Sequence, residues 1–200
     1  MKNMNNEEFE KLFGDDKDFF FIQIGANDGI DYDPIHNLVK EKKWNGILFE
    51  PGIIAFEKLL NTYKGHDNLV FMNCAVSDFD GESILYCGET TPHFTLDINK
   101  AISMFDVTPR EIKVQVKSPS TILRDFNINK IDLLQIDTEG RDFTIIKSFI
   151  EIIKPKIIRF EFVNLYFENI ETEDAINYLT SFGYDSYINR DEGDIISILK

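Results

Sequence analysis

The sequence predicts an α/β fold: a mostly parallel sheet with helices on both faces, closed by an antiparallel C-terminal hairpin. Three observations predict it. Short, nearly continuous apolar runs end abruptly in glycine or acid, as strands buried on both faces do. Amphipathic segments at helical spacing separate those runs. The last two runs, 184–188 and 195–199, are joined only by a polar turn, which implies a hairpin.

In order, residues 1–18 read as an N-terminal helical extension and 19–200 as a single domain with an insertion around 81–117. Phe19-Phe20-Phe21-Ile22-Gln23-Ile24 is a buried strand ending at Gly25. Ile35, Leu38 and Val39 mark a helix stopped by Trp44-Asn45-Gly46. Ile47-Leu48-Phe49 is the second strand; Phe56, Leu59, Leu60 and Tyr63 stand at i, i+3, i+4 and i+7 of the next helix. Leu69-Val70-Phe71-Met72 is the third strand. Asp80-Gly81 is a turn, 83–87 a strand, 88–111 a loop or small insertion, and 112–116 alternates like a half-exposed strand. Ser118-Pro119 supplies a cap and a first-turn proline. Residues 131–136 form the fourth strand. Phe143, Ile146, Ile150 and Ile153 form a helical stripe ended by Pro155, and 156–163 is the fifth strand. Thr172 caps the last helix, with Gly183 after its end.

With 21 basic and 35 acidic residues, the net charge is −14 and the pI about 4.6. Such a chain repels phosphate backbones, which argues against nucleic acid as a partner. A hydrophobic fraction of 43% is enough for a core. No apolar run is long enough to span a membrane and no secretory signal opens the chain, so the expected location is cytoplasmic. Cys74 and Cys87 lack zinc-site spacing and read as buried, reduced thiols.

A parallel sheet of this kind binds ligands beyond the carboxyl ends of its strands, and four of those ends carry notable residues. Gly25-Ala26-Asn27-Asp28-Gly29 is a polar turn between two glycines; it is neither G-x-G-x-x-G nor a P-loop. Glu50, followed by Pro51, ends the second strand where a carboxylate grips ribose hydroxyls; the alternative is a helix-capping acid. Ala75-Val76-Ser77-Asp78 follows the third strand, and Asp78 offers an acceptor for an exocyclic amine unless it only shapes the turn with Phe79-Asp80-Gly81. Asp137-Thr138-Glu139-Gly140, with Asp142 just beyond, puts three carboxylates at the end of a central strand, and Glu161 is a further acid within the fifth strand where an apolar residue is expected. They require water, a cation, donors, or a buried ion pair with Arg159 or Arg141.

Together, the stretches 21–29, 46–51, 73–78 and 131–140 resemble, in order and spacing, the FkbM-type family of S-adenosylmethionine-dependent methyltransferases. The resemblance covers roughly residues 19–163. It implies a Rossmann-like seven-stranded methyltransferase sheet with a reversed last strand, and S-adenosylmethionine as cofactor. It places the methionine part at Gly25, Ala26, Asn27, Asp28 and Gly29, and the ribose at Glu50 beside Pro51. The adenine falls at Asp78 with the preceding Ala75, Val76 and Ser77, and the sulfonium end beside Asp137. Gln23 stands where the family commonly has an acid, Gln135 where it has a lysine, and Arg141-Asp142 where it has a small residue and a glutamate.

The expected reaction is O-methylation of a hydroxyl on a small molecule or glycan, driven mainly by alignment of acceptor and methyl. The candidate bases are Glu139, Glu161 and His93, while His36 and His66 read as surface positions. Oxygen ligands from Asp137, Glu139 and Asp142 would suit a divalent metal, but their spacing is not diagnostic and no metal is assigned. Phe94, Met104 and Phe105 serve equally as an acceptor pocket or as the insertion's core. The alternative function is a non-catalytic S-adenosylmethionine-binding or assembly module with the same fold. A nucleotide-sugar or nicotinamide enzyme is disfavoured by the missing glycine fingerprint.

Overall fold

The structure, a computed structural model, describes residues 2–14, 16–88, 94–104 and 109–200. In chain order the elements are β1 (Lys2–Asn3), α1 (Asn6–Glu10), β2 (Phe20–Ile24), α2 (His36–Lys42), β3 (Asn45–Phe49), α3 (Ile53–Thr62), β4 (Leu69–Met72), β5 (Ala75–Val76), β6 (Gly81–Cys87), β7 (Phe94–Thr95), α4 (Ile98–Met104), β8 (Arg110–Lys117), α5 (Pro119–Asp125), β9 (Leu133–Ile136), α6 (Asp142–Ile150), β10 (Ile157–Glu161), a 3-10 turn (Val163–Glu168), α7 (Thr172–Ser181), β11 (Tyr184–Asn189) and β12 (Asp194–Leu199).

The main sheet runs β1-β11-β12-β10-β9-β2-β3-β4. From β10 to β4 all pairings are parallel, whereas β12 runs antiparallel to both β10 and β11. This is the predicted sheet with its closing hairpin, plus an eighth member: β1 adds to the edge of β11 through Lys2 and Asn3. The alternation of side chains divides the core. Ile22, Ile24, Leu134, Ile136, Ile158 and Phe160 face α5, α6 and α7. Phe21, Leu48, Leu133 and Ile157 face α1, α2 and α3 through Phe9, Leu38, Val39 and Leu59. Trp44 stacks on Phe19 at 4.1 Å and meets Phe13 edge-on at 4.9 Å, tying the N-terminal segment to that layer. No helix among the described residues is long and apolar enough to cross a membrane.

A second sheet, β5-β8-β6-β7, stands beside the first with its own apolar cluster of Ala75, Leu85, Val114 and Val116. Two local expectations change. The stretch read as a loop holds β7 and the helix α4. Glu171, not Thr172, occupies the cap of α7, without a side-chain bond to the helix. Ser118 does cap α5, accepting from the Thr121 N–H with Pro119 in the first turn. Both cysteines are buried and free, and burial pushes the Cys74 thiol up to about 11.

Candidate functional site

The loop after β2 is built by backbone crowding. Gly25 has φ +79°, and a Cβ there would sit 1.7 Å from the Asp137 carbonyl oxygen, so only glycine lets the loops after β2 and β9 pass. The Gly25 and Ala26 N–H groups both donate to the Phe49 carbonyl, and the Asp137 N–H donates to Ile24. Glu50, 4% exposed, then holds the loop tip: its Oε2 accepts from the Asn27 N–H at 2.9 Å and its Oε1 from the Gly52 N–H at 2.7 Å. Burial pushes this carboxyl up to about 7 despite both donors.

These loops open onto a cleft of about 380 Å³ at the carboxyl ends of the central strands. Gly25, Ala26, Asn27, Glu50, Pro51, Ala75, Val76, Asp137, Glu139 and Glu161 all line it, so the structure brings ten of the predicted site residues together. Four others stand outside its lining. Asp28 serves its own turn, accepting from the Ile30 and Asp31 N–H groups, and Gly29 packs under Tyr63 and Leu59. Ser77 is fully buried and donates to Asp78, which is exposed. His93 and Phe105 lie outside the described residues. Phe94 opens β7 and Met104 ends α4. His36 is half-buried, with Nδ1 against the Gly29 carbonyl, rather than on the surface.

The acids form two groups with different jobs. Asp142, fully buried, props up its own loop by accepting from the Thr138 N–H and hydroxyl. Burial pushes it up to about 6. Asp137, Glu139 and Glu161 converge, with oxygens all within 4.8 Å of one another. Burial, then the neighbouring Glu161 charge, holds Asp137 well above the carboxylate range. Burial, then Glu139, pushes Glu161 up to about 8. Their counter-charge has no motif to mark it in the chain. Lys100 of α4, 4% exposed, pairs with Glu139 and donates to Asn164, whose amide donates to Glu161. Thr95 completes this dock, its hydroxyl donating to the Glu139 carbonyl at 2.7 Å.

Arg159, visible in sequence as a charge inside an apolar strand, has Asp194 rather than Glu161 as its ion-pair partner. Its Nε donates to Asp194 at 2.5 Å, its Nη2 to Asn6 at 3.2 Å, and its guanidinium lies 4.6 Å over the Phe9 ring. Gln23, Gln135, Asp33 and Asp194 also line the cleft.

Residues 23–186 match the family described as the methyltransferase FkbM domain. No curated protein matches the chain by sequence. Among solved structures, the methyltransferase FkbM from Methylobacillus flagellatus KT is similar over 98% of this chain and 48% of its own, at TM-score 0.58 and 14% identity. The present chain thus spans about half of that protein. The CurJ carbon methyltransferase is similar over 96% of this chain and 51% of its own, at TM-score 0.51 and 9% identity. M. capricolum TrmK, solved with its cofactor product S-adenosyl-homocysteine, is similar over 96% and 65%, at TM-score 0.50 and 10% identity.

Proposed function

The chain belongs to the FkbM methyltransferase domain family, and from that premise we propose that it uses S-adenosylmethionine to methylate a hydroxyl on a small molecule or glycan. The observation that carries this reading is the single cleft in which the Glu50-held loop and the carboxylates of Asp137, Glu139 and Glu161 meet.

The residues present fit the cofactor. Pro51, Cys74, Ala75, Val76 and Leu96 give an apolar strip beside Glu50 suited to a purine. Asp137 keeps a buried oxygen, Oδ1, without a partner, as an ammonium would require. Glu50 has lone pairs beyond the two it gives to backbone N–H groups, and these suit ribose hydroxyls. When bound, S-adenosylmethionine supplies an electrophilic methyl group on a sulfonium.

The chain's own part is to align the acceptor and manage its proton. Glu161 holds a proton near neutral pH, whereas Lys100 places a positive charge on Glu139. Glu139 is therefore the better-placed acceptor for the hydroxyl proton, and Glu161 the carboxyl that tunes it. In this reading residues 19–200 act as one domain, and the insertion around 81–117 selects the acceptor.

Calorimetry with S-adenosylmethionine and S-adenosylhomocysteine tests the proposal. Both are expected to bind at sub-millimolar concentration, with weaker binding in Glu50→Ala; failure of both to bind overturns it. Tight binding without transfer to any hydroxylated acceptor would favour the non-catalytic module.

A further inference from the structure

Three adjacent strands set Gln23, Gln135 and Arg159 side by side in register. Two residues earlier, the same row of the sheet is Phe21, Leu133 and Ile157, a packed apolar layer. The polar row is just as buried, at 3%, 4% and 1% exposure, and all three residues line the cleft. Each keeps a buried polar atom without a protein partner: Oε1 of Gln23, Oε1 of Gln135 and Nη1 of Arg159. Native interiors rarely leave three such atoms together. Arg159 cannot turn away to relieve this, because Asp194, Asn6 and Phe9 hold the rest of its guanidinium.

We propose that Gln135 and Arg159 form the floor of the methyl-acceptor subsite, with Gln23 at its cofactor end, and that this subsite takes an uncharged polyhydroxyl compound. A hydroxyl is the group that accepts from a guanidinium N–H and donates to an amide oxygen at once. An ammonium has no lone pair for Arg159, and a phosphate or carboxylate has no hydrogen for the glutamine oxygens. Charge points the same way. Eight acidic side chains, not all of them ionised at neutral pH, and two guanidiniums line the cleft, and one of those guanidiniums is already paired with Asp194. An anionic acceptor is repelled there. Neighbouring strands lie about 4.8 Å apart, so the row offers its groups at intervals suited to hydroxyls on alternate carbons of a ring.

This inference rests on the methyltransferase reading and deepens it, and one experiment separates the two. The protein is loaded with S-adenosylhomocysteine and probed by saturation-transfer NMR with glucose, fucose and myo-inositol. Glucose 6-phosphate, glucuronate and glucosamine serve as charged counterparts. At least one neutral polyol is expected to bind at millimolar concentration, and the charged ones about tenfold more weakly. Arg159→Met and Gln135→Leu are each expected to weaken polyol binding about tenfold while leaving S-adenosylhomocysteine affinity within about twofold. Gln135→Leu should also raise the Tm of the unliganded protein by about 3 °C, since it removes an unsatisfied buried oxygen.

Failure of S-adenosylhomocysteine to bind the wild-type protein overturns the methyltransferase reading itself. Cofactor binding with no neutral polyol bound, or with charged sugars preferred, overturns only the subsite. So does a tenfold loss of S-adenosylhomocysteine affinity in either variant, which would give the row to the cofactor. Unchanged polyol binding in both variants also overturns it, leaving the row as a hydrated structural feature.

Discussion

The Glu50 carboxylate accepts the Asn27 N–H at 2.9 Å, bolting the tip of the loop after β2 to the end of β3. The same carboxylate accepts from Gly52, so one buried side chain sets the shape of the loop that the ribose would meet. Its folded value of about 7 lies above the ordinary 4.5. Ionised Glu50 accepts from both N–H groups and from a diol; protonated, it loses part of that capacity. S-adenosylhomocysteine affinity is therefore expected to fall about tenfold from pH 8 to pH 6. Glu50→Gln should bind weakly at both pH values, and calorimetry on the two proteins checks this.

Glu161 ties stability to pH. Its carboxyl sits at about 8 in the folded protein against 4.5 ordinarily. The folded state thus binds the extra proton, and this stabilisation is fully present below about pH 4.5 and lost as pH rises through about 8. Glu161→Gln keeps the oxygen that accepts from Asn164 and carries no charge. It is expected to melt about 3–6 °C above wild type at pH 9 and level with it at pH 4. Differential scanning calorimetry across that range decides the point.

Lys100 is the buried cation on which the acid cluster closes. Lys100→Met removes the buried cation that pairs with Glu139 beside Glu161 and Asp137, and is expected to cost about 3 kcal/mol. Lys100→Met/Glu139→Gln should recover at least half of that, because the charge that Lys100 pairs with goes with the carboxylate. Denaturant melts of the single and double variants measure the coupling.

Gly25 and Gly65 both have positive φ, +79° and +87°, but only Gly25 faces another backbone. Gly25→Ala is expected to cost about 4 kcal/mol or more, since the Asp137 carbonyl must move, and Gly65→Ala only about 1 kcal/mol of conformational strain. Urea melts of the two variants give the contrast.

The parallel sheet was readable in the chain because its strands are buried on both faces, so Phe21, Ile22 and Ile24, like Leu133, Leu134 and Ile136, form apolar runs each interrupted by a single glutamine. The acids at their ends stood out against those runs, and most of them do meet in one cleft. The insertion was not readable. Helix α4 leaves Ile98 and Ile102 exposed and buries Ala101 and Lys100 instead, so a salt bridge rather than an apolar stripe fixes it, and no periodicity announces it. Strand β1 was hidden for a different reason: it is two residues long and joins the sheet edge by backbone pairing, which composition does not encode. Asp78 stands exposed outside the cleft lining, and in sequence a carboxylate after a strand looks the same whether it faces a cleft or solvent.

Asn6 donates to Glu192 and accepts from both Arg159 and Asn189, and it stands three residues after the strand that covers the β11 edge. One short segment thus shields a sheet edge from strand addition and braces the guanidinium beneath the cleft. Loosening it would expose that edge to self-association and release Arg159 in a single event. Amide exchange at Met4, whose N–H bonds the Ile188 carbonyl, would then report from the periphery on how firmly the cleft floor is set.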